Sequence, residues 1–421
     1  MSERILLCLA HMSGKEMDFI KEAFDQNWVV PLGPNVNGFE KDLEEFVNGR
    51  EGAAPLDKKV VALSAGTAAV HLALIACGVK AGDEVIVQSF TFCASSHPVT
   101  YLGATPVFVD SEKDTWNMDP ELLEEAIKDR IAKTGRKPKA IVPVALYGMP
   151  YNITKIMEIA NRYEIPVVED AAEGFGSRFN GQVLGTFGKY GVLSFNGNKM
   201  ITTSGGGALI CADDEAKKQI MWYATQARES YPYYQHEAIG CNYRMSNICA
   251  GIGRGQMTVV DEHIAHHRHV QALYKELLKD VKGITLHEAP SPEYDSNYWL
   301  CTATLDSDLK IKGQDKAYAE VITGAVGGAA GVTHATKSAH TALEPNANVE
   351  AMRMFLDAAG IESRPLWKPM HCQPVYKDAP AYTNGVSESL FRVGICLPAG
   401  PWVTDDHVRY IVDKIKAAIE L

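Results

Sequence analysis

The chain has 421 residues, 46% of them hydrophobic and 22% charged, with a formal net charge of −11. That length can bury a large core, and the acidic balance speaks against the basic surfaces by which proteins bind nucleic acid or anionic membranes, which leaves small ligands as partners. No apolar run approaches the roughly 20 residues that span a bilayer, the N-terminal MSERILLCLAHMSGKEM is too poor in apolar residues for a leader, and nine cysteines without a CxxC pair fit reduced thiols, so the sequence predicts a cytoplasmic protein.

In chain order, apolar strands alternate with helical segments through the first 210 residues. KVVALS leads into the Ala/Leu-rich helix AGTAAVHLALIACGV. DEVIVQS is followed by TFCASSHPVTYLG, TPVFVD by the helix DPELLEEAIKD, and AIVPVALYG by the helix NITKIMEIANRYE; IPVVED, YGVLSFN and GGALICAD complete the series. Continuous apolar strands separated by helices predict an α/β fold with a mostly parallel sheet covered on both faces. The pattern changes after about Ala250. One long helix is predicted from Gly253 to Asp280, with Gly283 as its stop. A strand YWLCTATL, a Gly/Ala-rich loop ITGAVGGAAGVTHATKSAHTA without assigned chemistry, and a last helix capped by Thr404 follow. This divides the chain into a large domain over 1–255 and a smaller C-terminal α/β domain over 256–421. On the long helix His263 and His267 stand four apart, but no cysteine or carboxylate completes a metal set, and EHIAHHRH reads as a solvated amphipathic face. No metal is predicted.

Ligands of open parallel sheets sit at the carboxyl ends of the strands. After KVVAL, Gly66 and Thr67 open a helix whose free N–H groups would face an anion. After DEVIVQS, Phe92 offers a ring that either joins the core or stacks on a planar heterocycle. Asp170 ends the strand IPVVED, with Glu173 three residues on, and a charge there needs a cationic partner. Lys199 comes 29 residues later, with Ser194 five residues before it. Lysine forms Schiff bases with carbonyls because its amine is the nucleophile. Singly, each feature is common. Together, a phosphate site at Gly66, Thr67 and Ser194, a stacking ring, a carboxylate for a ring nitrogen and an amine for an aldehyde describe pyridoxal phosphate, with Asp170 as the pyridinium partner and Lys199 as the covalent anchor.

The order SAGTAAVHLAL, SFTFCASS, VVEDAAEGFGS, SFNGNKMITTSGGGAL and GCNYRMSN resembles the DegT/DnrJ/EryC1/StrS family of fold-type I, pyridoxal phosphate-dependent sugar aminotransferases, and the likeness covers nearly the whole chain. Within that family SFNGNK, QARESYPYYQHEAIGCNYRMSN and RPLWKPMHCQPVY look most like enzymes that aminate C4 of UDP-linked 4-keto-6-deoxy-hexosamines, as in bacillosamine-type pathways. The resemblance implies the same roles for Gly66, Thr67, Ser194, Phe92, Asp170 and Lys199, and has Asn242 reach the phosphate of a neighbouring subunit's cofactor in a homodimer with shared sites. Glu173 and Asn196 depart from the commonest pattern, standing where many members have Gln or His near the cofactor's phenolic oxygen and His, respectively. A nucleotide-linked keto sugar and an amino-acid donor, glutamate, are the implied substrates. Trp367 and His371 are implied on the sugar side, with Arg364 and Lys368 as diphosphate or sugar contacts and interdomain packing as the alternative for this segment. Tyr147, Arg178, Arg228 and Arg244 are further ligand candidates. Two other functions compete: a sugar dehydratase, against which Lys199 speaks because dehydratases of this fold carry a histidine there, and a non-catalytic cofactor-binding regulator.

Overall fold

The computed structural model describes residues 4–49, 52–318 and 343–420. The predicted Gly/Ala-rich loop lies outside the described residues. Helices α1 (Glu16–Asp25) and α2 (Pro34–Asn48) precede an alternating series: β1 (Lys59–Leu63), α3 (Gly66–Ala76), β2 (Glu84–Gln88), α4 (His97–Tyr101), β3 (Thr105–Val109), α5 (Pro120–Thr134), β4 (Ala140–Val142), α6 (Ile153–Tyr163) and β5 (Val168–Asp170). Two short strands, β6 (Arg178–Phe179) and β7 (Gln182–Val183), lead to β8 (Tyr190–Ser194), β9 (Gly207–Cys211) and α7 (Asp214–Ala224). The rest comprises α8 (Asn247–Met257), α9 (Val260–Leu278), β10 (Ile284–Leu286), β11 (Tyr294–Asp295), β12 (Cys301–Leu305), α10 (Ala347–Ala358), β13 (Arg364–Pro365), β14 (Ala381–Tyr382), α11 (Val386–Val393), β15 (Gly394–Leu397) and α12 (Asp405–Ala418).

β14, β3, β2 and β4 pair in parallel, as do β5 and β8, while β9 runs antiparallel between β8 and β1. Bridges Ile141–Val167 and Val144–Asp170 join the two halves, giving the order β14-β3-β2-β4-β5-β8-β9-β1. Successive side chains of a strand point to opposite faces. Accordingly Val60, Ala62, Ile86, Val107 and Ile141 enter one apolar core, and Val61, Leu63, Val87, Phe108 and Val142 enter another. The middle residues of β1, β2, β3 and β4 are therefore apolar on both faces, as their sequences show.

The smaller layer is antiparallel, in the order β10-β12-β15-β13, and its core gathers Val270, Tyr274, Leu356, Ile395 and Ile411. Helix α9 belongs to both bodies: Val260 and Ile264 pack in the larger core, Val270 and Leu278 in the smaller. The one long helix predicted from Gly253 to Asp280 is two, broken at Thr258–Val259. Its first half is pinned elsewhere: added Cβ atoms at Gly253 and Gly255 would lie 2.7 Å from the Phe39 ring and 2.8 Å from Glu16, so α8 must lie close against α2 and α1. Thr258 Oγ1 then donates to the Gly255 carbonyl at 2.7 Å, and the chain restarts as α9. Gly283 is not the helix stop; at φ +84° it turns the chain into β10. His263 and His267 are buried against the carbonyls of Met200 and Tyr298 at 3.3 and 3.2 Å, not on a solvated face. Thr404 caps α12 in a reciprocal box with His407. No helix among the described residues is long and apolar enough to cross a membrane.

Candidate active site

The site forms where β1, β2, β5 and β8 end. Helix α3 starts from an extended Ala65 that offers no side-chain cap, leaving the N–H groups of its first turn to a ligand. The approach is close. A Cβ on Gly66 would lie 3.0 Å from Ser194 Cβ, and one on Gly207 would lie 2.4 Å from the Gly66 nitrogen, so glycine at both positions lets Ser194 and the helix start share one edge of the cleft.

Asp170 closes β5 and is buried. Its Oδ2 accepts from Ser95 Oγ at 2.6 Å, and Oδ1 accepts from the Ala172 N–H at 3.1 Å. Burial pushes this carboxyl above the usual carboxylate range, while Ser95, Ala172 and the Lys199 charge pull it back. Glu173, also buried, accepts from the Tyr147 N–H at 2.7 Å and from Lys199 Nζ at 3.2 Å. Burial raises it too, against the pull of Lys199. Tyr147 holds φ +53°, which aims its N–H at Glu173. Lys199 Nζ lies 4.0 Å from the centre of the Trp299 ring. Phe92 is 53% exposed and its ring is 5.5 Å from that of Trp367, so it is a cleft wall and not core.

Gly66, Thr67, Phe92, Asp170, Glu173, Ser194 and Lys199 all line one cleft with about 880 Å³ of empty space. The set suits pyridoxal phosphate: an uncapped helix start with two hydroxyl side chains for a dianion, a buried carboxyl for a ring nitrogen, and an amine for an aldehyde. Asn198 Oδ1, on the same cleft, is buried without a hydrogen-bond partner among the described residues, an acceptor left for a ligand.

A sequence model of the DegT/DnrJ/EryC1/StrS aminotransferase family matches residues 11–320 and 328–416. The chain belongs to that family. Bacillus subtilis EpsN, which carries the name of a pyridoxal phosphate-dependent aminotransferase, is 41% identical over 422 residues, covering 99% of this chain and 96% of EpsN. The GDP-perosamine synthase of Escherichia coli O157:H7 is 32% identical over 404 residues, covering 96% and 95%. A crystal structure of a DegT DnrJ EryC1 StrS aminotransferase from Brucella abortus matches with a TM-score of 0.79 at 27% identity, over 96% of this chain and 95% of that one. The protein is thus a fold-type I, pyridoxal phosphate-dependent sugar aminotransferase.

Not every residue assigned by the likeness to DegT/DnrJ/EryC1/StrS enzymes reaches the cleft. Trp367 lines it, with its ring 5.1 Å from Tyr147 and 6.3 Å from Trp299. His371 sits behind that wall, its Nδ1 2.6 Å from Ser89 Oγ and its Nε2 3.2 Å from Glu388. Arg364 pairs with Glu362 at 2.7 Å and Lys368 donates to the Leu343 carbonyl at 3.1 Å, and both line a second hollow that adjoins the cleft through Phe92, Asn198, Trp299 and Trp367. Arg178 bonds the carbonyls of Gly49 and Gly181, Arg244 pairs with Glu40 at 2.6 Å, and Arg228 lies over the Tyr234 ring. Asn242 is exposed beside Thr225 and is not among the residues that line the chain's own cleft. Sequence reasoning missed Ser95 and Trp299. Ser95 lies in SFTFCASS, directly after a strand, where position alone was a usable signal. Trp299 reads there only as part of a strand.

Proposed function

We propose that this aminotransferase moves an amino group from glutamate to C4 of a nucleotide-linked 4-keto-6-deoxy sugar. The observation that carries this is Lys199, a lysine amine inside a cleft with a buried acid and an anion-binding helix start. Nucleotide-sugar transamination is supported by the relative named GDP-perosamine synthase, which is collinear over nearly its whole length. Pyridoxal phosphate, when bound, supplies an aldehyde for amines and a ring that takes up the electron pair left when the donor loses a proton. The chain's residues do the rest. Gly66, Thr67 and Ser194 bind the phosphate, and Phe92 and Trp367 wall the ring and the sugar. Asp170 holds a proton on the ring nitrogen, and its buried position makes that contact strong. Lys199, when free, takes the donor's proton and returns one to the neighbouring carbon, a general base and acid in turn.

The exposure of Asn242 supports a homodimer in which it meets the partner's cofactor phosphate. Nine unpaired thiols support a cytoplasmic setting. The test is to mix purified holoenzyme with glutamate alone and follow the cofactor absorbance. Conversion to the aminated cofactor, followed by its reversal with one member of a panel of UDP-, GDP- and dTDP-linked 4-keto-6-deoxy sugars read by mass spectrometry, is expected. No conversion with glutamate, with conversion by another amino acid, replaces the donor. Reversal only by sugars with the keto group elsewhere moves the site of amination.

A further inference from the structure

The Lys199 amine has two partners built around it in the cleft. Nζ lies 3.2 Å from Glu173 Oε1 and 4.0 Å from the centre of the Trp299 ring. A carboxylate and an aromatic face both attract an ammonium, the second most strongly where water is excluded. Trp299 is only 3% exposed. It is also held rigidly: the indole N–H donates to the carbonyl of Asn198, the residue before the lysine, at 2.7 Å, and the backbone N–H donates to Asn297 Oδ1 at 2.8 Å. Asn297 in turn donates to the carbonyls of Glu173 and Phe175 at 2.8 and 2.9 Å. Tyr298, between them, holds φ +48°, a conformation that a side chain rarely adopts and that presents the indole to the lysine. One short segment therefore ties together the lysine's loop, its acid partner and its aromatic partner.

We propose that Trp299, with Glu173, is a holding site for the Lys199 amine whenever the lysine is not joined to the cofactor, and that Trp299 is its positioning residue. This rests on Lys199 being the residue that joins pyridoxal phosphate. In joining, an ammonium and an aldehyde give a protonated C=N bond and one water, and the amine leaves the holding site; when an amino-acid donor takes its place, the lysine returns. On this proposal the contact forms without cofactor and with pyridoxamine phosphate, which has no aldehyde, and is given up when the lysine joins pyridoxal phosphate. Removing the ring should therefore tighten pyridoxal phosphate and leave pyridoxamine phosphate alone. A tryptophan that merely supports the fold would weaken both.

The experiment is to titrate full-length, cofactor-stripped wild-type, Trp299→Leu and Trp299→Phe proteins with each compound. For Trp299→Leu, pyridoxal phosphate is expected to bind about ten-fold tighter, the size of one desolvated cation–π contact, and pyridoxamine phosphate within about two-fold of wild type. Trp299→Phe, which keeps an aromatic face, should lie near wild type and covers the case in which the leucine variant does not fold. Parallel weakening of both compounds, an unchanged ratio in Trp299→Leu, or equal behaviour of the two variants would overturn the proposal. Lys199→Ala in the same titration separates the two readings: if it still forms a borohydride-reducible adduct at its normal affinity, the lysine assignment fails first.

Discussion

Replacing Asp170 by asparagine removes one charge and almost no volume, so it asks what that charge does. The structure predicts opposite effects on stability and on turnover. Asp170 is 5% exposed and its two hydrogen bonds come from Ser95 Oγ and the Ala172 N–H. An amide oxygen still accepts from Ala172. Ser95 Oγ, which also meets Thr91 Oγ1 at 2.8 Å, turns its hydroxyl to Thr91 and accepts from the new amide. Burial is the largest influence on the wild-type carboxyl and raises it. A folded-state pKa above the unfolded value means stability that is complete below the ordinary carboxyl range and is lost as pH rises through the shifted one. The asparagine loses none. At neutral pH the cofactor-free variant should thus melt at or above the wild-type temperature. Turnover should fall about 10²–10³-fold, the usual cost of one preorganised polar contact in a water-excluded site. Differential scanning fluorimetry without cofactor and single-turnover absorbance with glutamate measure the two. A variant that turns over within a few-fold of wild type, or melts far below it, refutes the ring-nitrogen role or the burial argument respectively.

Lys199→Ala should lose both the borohydride-reducible adduct and transamination with its circular dichroism unchanged, because it opens space at a cleft and not in the core. Mixed Lys199→Ala and Asn242→Asp subunits, each inactive alone, should regain up to about a quarter of wild-type activity once exchanged, since one hybrid site is intact; no recovery after proven exchange removes the shared site. His371→Ala should lower the melting temperature and leave the sugar KM within a few-fold, because the ring ties Ser89 to Glu388 behind the cleft wall; a rise in sugar KM alone would return it to the substrate. His267 and His287 are buried, with their imidazoles pushed down to about 3 and about 4 by burial. The unfolded chain titrates near 6.5. Their contribution to stability is complete above that pH and is lost as pH falls, by about 4 kcal/mol for the pair between pH 7 and pH 5. Urea unfolding of wild type, His267→Gln and His287→Gln at the two pH values tests this, and a pH dependence equal in all three would place both imidazoles in water.

What the sequence made legible and what it hid divide along a physical line. Strands buried on both faces are apolar throughout, and a ligand at a parallel sheet's edge touches residues that immediately follow those strands. Gly66, Asp170, Ser194 and Lys199 therefore stand out within a few positions of KVVAL, IPVV and YGVLS, and the cleft does bring them together. The break between α8 and α9 was hidden because both halves have helical periodicity; it is set by glycines of α8 pressed against α1 and α2, about 200 residues earlier in the chain. Trp299 was hidden for a like reason. Its bond to Asn198 spans 101 positions, and inside YWLCTATL an indole aimed at a lysine reads the same as one aimed at a core. The proposed cofactor end of the site is built from strand ends in the first half of the chain and, on the proposed dimer, Asn242 from a neighbour, whereas Trp299 and Trp367 reach the same cleft from the second half. A reaction type can consequently be read from local order along the chain, while the cleft walls that Trp299 and Trp367 supply exist only once distant segments have come together.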